Sequence, residues 1–253
     1  MITANLDGKR VFVTGGTSGI GLACVRTFAS MGAVVVANHL PDDTQATSVI
    51  SALSRDGYAV SGIAGSVAEP EEVLKCVEHA IHRLDGLDYL INNAGTPGTT
   101  EPIPPEDLDK MTEEFWHLIL STNLLGCFRT AKAAASALRS SGGAIVNIAS
   151  IAGLGTQGSS IAYAASKAGV VNLTRSLARA LAPNVRVNAV APGQTATPWT
   201  EGWSDQRKQI AIDKSVLKKR SQPEDIAEAV LFLCAGASMM TGQTIVVDGG
   251  MTL

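Results

Sequence analysis

Tyr163 and Lys167 stand four positions apart, so on a helix both project from one face. A free phenol ionises near pH ~10, too high for an efficient base at neutrality, and a neighbouring ammonium favours the phenolate and lowers that value. The pair thus has the composition of a proton carrier with its own electrostatic tuner. Taken alone, Tyr-x-x-x-Lys is equally at home on a solvated helix surface. Upstream, Ser150 closes the apolar run Ala144–Ala149, at a strand end where an open α/β sheet forms its ligand crevice. Its hydroxyl could hold a substrate oxygen there, or simply cap the next turn.

A second feature lies near the start of the chain. Gly15-Gly16-Thr17-Ser18-Gly19-Ile20-Gly21 follows an apolar run and leads into the helical pattern Leu22–Phe28. A strand-to-helix turn offers free N–H groups and the positive end of a helix dipole, and glycines let a pyrophosphate approach closely. The spacing is Gly-x-x-x-Gly-x-Gly rather than the usual Gly-x-Gly-x-x-Gly. A turn that only packs a helix tightly onto a strand would look the same.

These residues need a scaffold, and the hydrophobic pattern supplies one. Apolar, β-rich runs recur at Val11–Thr14, Ala33–Asn38, Tyr58–Ile63, Asp88–Asn92, Ala144–Ala149, Val185–Val190 and Thr244–Val247. Most are continuously apolar, as parallel strands covered on both faces are. Helical patterns separate them, such as Val73, Val77, Ala80, Ile81 and Leu84 on one face, preceded by Pro70 among Glu69, Glu71 and Glu72. The pattern predicts a Rossmann-type, doubly wound α/β fold: about seven parallel strands flanked by helices in three layers, one domain over residues 1–253. The irregular stretch 194–215, with Trp199 and Trp203, is a candidate substrate lid.

Composition narrows the function classes. The chain has 20 basic and 23 acidic residues, a net charge of -3, and no basic stripe, which argues against a nucleic-acid partner. No apolar run approaches the ~20 residues of a membrane span, and the N-terminal residues lack the apolar core of a signal peptide. A soluble, cytoplasmic protein with no membrane partner is expected. Cys24, Cys76, Cys127 and Cys234 lie far apart, consistent with reduced thiols. Cys76-x-x-His79-x-x-His82 invites a zinc reading, but three-residue steps drift by ~60° around a helix, so the ends diverge. His39 and His117 are remote from one another in sequence, and no metal is expected.

Thr14-Gly15-x-x-x-Gly19-x-Gly21, Asn92-Asn93-Ala94-Gly95, Asn123, Ser150, Tyr163-x-x-x-Lys167, Pro192-Gly193 and Asp248-Gly249-Gly250 occur in one order along nearly the whole chain. In order and spacing they resemble the short-chain dehydrogenase/reductase family. The resemblance implies a nicotinamide-dependent oxidoreductase with Asn123, Ser150, Tyr163 and Lys167 as the catalytic set. Tyr163 would be the general acid/base and Ser150 the group that orients the substrate oxygen. Lys167 would also bind the nicotinamide ribose, and Asn123 would support a water chain from Lys167. The resemblance assigns cofactor contacts to Gly15, Thr17, Ser18, Gly19, Ile20, Asn93, Ala94, Gly95, Pro192, Gly193, Thr195 and Thr197. Substrate contacts fall to Ser150, Tyr163, Gln157 and Trp199.

The nucleotide end departs from the family pattern. NAD-preferring relatives carry an Asp after the second strand, where this chain has His39. NADP users commonly carry a basic residue at the places held here by Ser18 and Leu40. Asp42 and Asp43 would disfavour a phosphate, whereas Asn38 and His39 could donate to one, which tilts the expectation slightly toward NADP over NAD. Ser66-Val67 replaces the Asp-Val expected beside adenine. The long family helix corresponds to Glu106–Ala135, with Phe115, Trp116, Leu118, Ile119 and Phe128 expected chiefly in the core. Family members assemble through this helix and the Tyr163 helix, so a homodimer or homotetramer is expected.

The expected activity is interconversion of a secondary alcohol and a ketone. One rival is a 3-oxoacyl carrier-protein reductase, for which Arg129 and Arg179 match positions that face a carrier protein. The other is a catalytically silent dinucleotide sensor, against which the filled catalytic positions argue.

Overall fold

The computed structural model describes residues 3–253. The chain runs β1 (Arg10–Val13), α1 (Gly19–Ala29), β2 (Val34–His39), α2 (Ala46–Arg55), β3 (Val60–Ala64), α3 (Pro70–Leu84), β4 (Tyr89–Asn92), α4 (Glu113–Leu120) and α5 (Gly126–Ser141). It continues through β5 (Ala144–Ile148), α6 (Ile161–Leu181), β6 (Arg186–Pro192), α7 (Pro198–Glu201), α8 (Asp205–Lys214), α9 (Pro223–Leu231) and β7 (Thr244–Val247). All strand pairs are parallel, in the order β3-β2-β1-β4-β5-β6-β7. The expected α/β fold is the one observed, with strand ends displaced by at most two residues.

Burial explains the layering. One face of the sheet packs against Phe28 of α1, Leu53 of α2 and Ile226 and Leu231 of α9. The other packs against Val77 of α3, Leu138 of α5 and Leu181 of α6. β4 and β5 are buried throughout, as their unbroken apolar runs require, whereas the edge strand β7 is only partly covered. Among the described residues no helix is long and apolar enough to cross a membrane.

Two expectations need correction. Glu106–Ala135 is not one helix: a short 3-10 turn at Leu108–Lys110 precedes α4, and a π-helical turn at Ser121–Leu125 separates α4 from α5. The Thr112 hydroxyl starts α4 by accepting from Phe115 N–H, and α5 runs on to Ser141. Of the five apolar side chains assigned to this stretch, only Ile119 is fully buried, and Leu118 and Phe128 are exposed. In α3, Cys76 is buried with its thiol donating to Ala64 O, whereas His79 and His82 face solvent.

Inside the layers runs a polar chain that pattern reading overlooked. Asn92 Nδ2 donates to Asn147 Oδ1 and Asn147 Nδ2 donates to Thr174 Oγ1, each at 2.9 Å, tying β4 to β5 and β5 to α6. The Thr130 hydroxyl closes the other end on Asn92 Oδ1 at 2.6 Å. All four side chains are buried, so each hydrogen bond offsets a desolvation cost. Asn147→Ala, which takes from Asn92 Nδ2 the shorter of its two hydrogen bonds and leaves a cavity, should lower the unfolding free energy by about 2–4 kcal/mol. Urea denaturation followed by circular dichroism reads this; a loss below about 0.5 kcal/mol would mean the chain of amides does not hold these layers.

Candidate active site

Strand order reverses between β1 and β4, and the crevice of a doubly wound sheet opens at such a point. The glycine turn fills it. Gly15 and Gly19 have φ of +61° and +50°, a region that favours residues without Cβ. A Cβ on Gly21 would lie 2.0 Å from Gly15 O, so only glycine lets α1 start this close to the turn. Ser18 makes no side-chain cap on α1 and no acid sits in its first turn, leaving free N–H groups and a positive dipole end at the cleft.

The turn is braced from β4. The Thr14 hydroxyl accepts from Asn93 N–H at 3.0 Å and Ala94 N–H at 2.9 Å, while Asn93 Nδ2 donates to Thr14 O and Gly15 O, both at 3.0 Å. The Asn93 amide therefore shapes the turn rather than reaching for a ligand, and its backbone lines the cleft with Ala94 and Gly95.

A cleft of about 1480 Å³ runs from the glycine turn past Tyr163 to the 194–215 segment. Gly15, Thr17, Ser18, Gly19, Ile20, Asn38, His39, Ser66 and Val67 line its first end. The Thr17 hydroxyl donates to Asp43 Oδ2 at 2.7 Å, and this bond is the main reason the Asp43 carboxyl ionises below the ordinary range. Asn38 corrects an expectation: its side chain is buried and Nδ2 donates to Gly65 O at 2.8 Å, bracing β2 against the chain after β3. His39 Nδ1 lies 2.8 Å from Leu40 O and donates to it, so that ring nitrogen is engaged by the backbone. Ser66 Oγ accepts from Ala68 N–H, and Val67 packs against Gly126.

The catalytic candidates converge midway. Ser160 caps α6 by accepting from Tyr163 N–H at 3.0 Å, and Tyr163 follows in the first turn. Ser150, at the end of β5, caps the next turn, its hydroxyl accepting from Ala152 N–H, and it stands close enough to Tyr163 to favour the ionised phenol. Lys167 is 3% exposed, its Nζ donates to Ile148 O at 2.7 Å and lies 5.8 Å from the Tyr163 ring centre. Burial pushes the Tyr163 phenol up from its ordinary value, against the opposing pull of Ser150. Burial likewise lowers the Lys167 ammonium. The depressed phenol expected from a neighbouring charge is therefore not the resting state, because desolvation of the phenol outweighs the opposing effect of Ser150.

Asn123 sits in the π-helical turn, fully buried. Its Oδ1 accepts from Thr96 N–H at 2.8 Å, and its Nδ2 donates to Thr96 O and to Ser166 Oγ. Ser166 in turn donates to Tyr163 O at 2.7 Å. Asn123 thus positions the strand-end loop against α6 and is satisfied within the protein. Ser166 was not singled out in the sequence, although it directly precedes Lys167.

Beyond β6, Pro192, Gly193, Thr195 and Thr197 line the cleft, with the Thr195 hydroxyl donating to Gly193 O. The 194–215 segment is not irregular throughout: α7 and α8 form within it. Thr197 packs against Gly19 at the start of α1, and the Trp199 ring tip reaches over Gly95. Gln157 lies exposed at the rim. Gln194 Oε1 and Thr156 Oγ1, both in cleft-lining residues, are buried without a hydrogen-bond partner among the described residues. Neither was foreseen, and no pattern in the sequence marks them.

A doubly wound sheet with a glycine turn at its switch point is the architecture of dinucleotide-binding α/β proteins. A family model described as enoyl-(acyl carrier protein) reductase matches residues 15–252. The chain is 41% identical to a Streptomyces violaceoruber protein that carries the name of a ketoacyl reductase of the granaticin polyketide synthase, over 100% of both chains. It is 35% identical to the 3-oxoacyl-[acyl-carrier-protein] reductase FabG of Thermotoga maritima, over 98% of this chain and 99% of the other. A crystal structure of a short-chain dehydrogenase/reductase from Brucella melitensis, titled glucose/ribitol dehydrogenase, superposes with a TM-score of 0.88 at 29% identity over 100% of both chains. The chain belongs to the short-chain dehydrogenase/reductase family, whose members are NAD(P)-dependent oxidoreductases.

The residues present fit that cofactor. The uncapped α1 N-terminus and the glycine backbone suit the pyrophosphate, and Lys167 and the Asn93–Gly95 backbone flank the route to Tyr163. Gly21→Ala should displace the turn through the Gly15 O clash and abolish NADH binding by fluorescence titration, with the far-ultraviolet dichroism of the sheet retained. Wild-type affinity in this variant would show that the turn does not hold the pyrophosphate.

Proposed function

We propose that this protein interconverts a secondary alcohol and a ketone, with Tyr163 exchanging the proton at the substrate oxygen. The observation that carries the reading is the convergence of Ser150, Tyr163 and Lys167 on the wall of one cleft that also holds the uncapped start of α1. The nicotinamide, when bound, supplies or accepts the hydride at the substrate carbon. Ser150 orients and polarises the substrate oxygen. Tyr163, held as a neutral phenol by burial, donates its proton to that oxygen in reduction and recovers it in oxidation. Lys167 holds the ribose side and, with Asn123 and Ser166, fixes the position of α6 against the substrate.

Because the phenol is raised, its protonated form persists through and beyond neutrality. Reduction should be flat across neutral pH and fall only above the ordinary tyrosine range, while oxidation, which needs the phenolate, should rise over that same alkaline range. Tyr163→Phe should lower turnover about 100- to 10,000-fold with cofactor affinity retained. Near wild-type turnover in that variant would sink the assignment.

For the cofactor, the two donors that favour NADP are both engaged within the protein, the Asn38 amide on Gly65 O and His39 Nδ1 on Leu40 O. Asp42, Asp43 and Glu69 line this end of the cleft and no Lys or Arg does. Carboxylates repel a 2′-phosphate and accept from ribose hydroxyls, so the balance turns to NAD. NADH should bind at least about 10-fold more tightly than NADPH, and Asp43→Asn should narrow the gap. Equal or tighter NADPH binding by wild type would reverse this choice.

A second reading, 3-oxoacyl thioester reduction, is favoured by the names of the relatives. Against it, the Arg129 guanidinium donates to Ala68 O at 2.6 Å and is not displayed to a carrier protein, although Arg179 is exposed. The exposed Leu118, Leu125 and Phe128 give the α4–α5 face the apolar character that a homodimer or homotetramer would use.

A further inference from the structure

The cleft is electrically polar along its length. Its carboxylates, those of Asp42, Asp43 and Glu69, all stand at the nucleotide end, whereas α8 brings Arg207 and Lys214 into the lining at the other.

Arg207 is built in rather than trailing in solvent. Ser204 Oγ accepts from Arg207 N–H at the start of α8, and the guanidinium lies 3.8 Å from the centre of the Trp203 ring. That stack fixes the plane of the fork before anything binds. The side chain is 33% exposed, and its ion pair with Glu101 is long, at 3.8 Å, to a carboxylate that is 73% exposed and does not line the cleft. Its guanidinium donates no hydrogen bond to any described residue. Neighbouring cations differ: Lys208 donates to Glu201 O, and Arg220 donates to Thr195 O and Thr200 Oγ1. A pre-stacked, partly desolvated guanidinium with open donors is what an oxyanion would satisfy, through two parallel N–H···O bonds.

We propose that the substrate carries an anionic group, a carboxylate or a phosphate, remote from its reacting carbon, and that Arg207 binds it. Lys214 adds attraction without directional contact, and Glu101 is the partner that Arg207 exchanges for the substrate. This rests on the oxidoreductase reading above. The same chemistry could come from a small oxo acid or from the phosphate of a pantetheine-type thioester.

Two matched pairs separate these sources: acetoacetate against methyl acetoacetate, and acetoacetyl-coenzyme A against the acetoacetyl thioester of N-acetylcysteamine. Wild type should prefer the charged member of at least one pair in kcat/KM, and Arg207→Gln should reduce that preference about 10- to 100-fold, chiefly through KM. Arg207→Lys should recover part of it. A preference confined to the first pair identifies the carboxylate, and one confined to the second identifies the phosphate. If wild type reduces the neutral members but Arg207→Gln leaves the charged-to-neutral ratio unchanged in both pairs, the inference falls and the oxidoreductase reading stands. If wild type reduces none of the four, its ketone is not a 3-oxoacyl compound, and anion binding is then read directly from Trp203 emission. Quenching by acetoacetate or inorganic phosphate that disappears in Arg207→Gln and in Trp203→Phe supports the Arg207 site; no quenching overturns it.

Discussion

The Thr14 hydroxyl receives two backbone N–H groups from the end of β4 while the Asn93 amide gives two hydrogen bonds back to Thr14 and Gly15. This exchange spans the place where neighbouring strands send their chains to opposite faces of the sheet. Without it β1 and β4 would end in two independent loops. With it the glycine turn has one shape, α1 starts with its first N–H groups uncapped toward the cleft, and the chain from Asn93 to Gly95 passes alongside. The rest of the site is measured from that junction.

Further along the same sheet edge, burial sets the chemistry. Tyr163 and Lys167 come from one turn of α6, Ser150 from the end of β5 and Asn123 from an interrupted helix, and each meets the others only because the layers close. Closing them removes water, which raises the phenol and lowers the ammonium. On the proposed reading, this leaves a neutral phenol at the place where a substrate oxygen would sit. The π-helical turn has a comparable cost and return: five residues depart from regular α geometry, and Asn123 gains contacts with both the Thr96 loop and Ser166.

Charge is distributed by the same economy of position. Acids gather where a dinucleotide ribose would lie, beside Thr17, and cations arrive from α8 at the far end. The two regions are separated by the sheet-edge loops and come from segments far apart in sequence. A short helix carrying a stacked Trp203–Arg207 pair gives the 194–215 segment a rigid, directional group.

The sequence by itself determined the architecture and named the candidate reacting groups. Buried parallel strands must be apolar on both faces, so Tyr89–Asn92 and Ala144–Ile148 announce themselves as strands. A glycine turn and a Tyr-x-x-x-Lys helix carry local spacing that survives any tertiary arrangement. Asn147 was a readable signal that went unread, an amide inside an apolar strand. Which partner a polar side chain chooses is a different matter, because it depends on atoms brought close by folding. Asn38 looked like a ligand donor until the chain after β3 claimed its amide, and Arg129 looked displayed until Ala68 O took it. Local spacing encodes elements and reacting pairs, while hydrogen-bond allegiance and pKa are properties of the packed interior, and only the tertiary structure decides them.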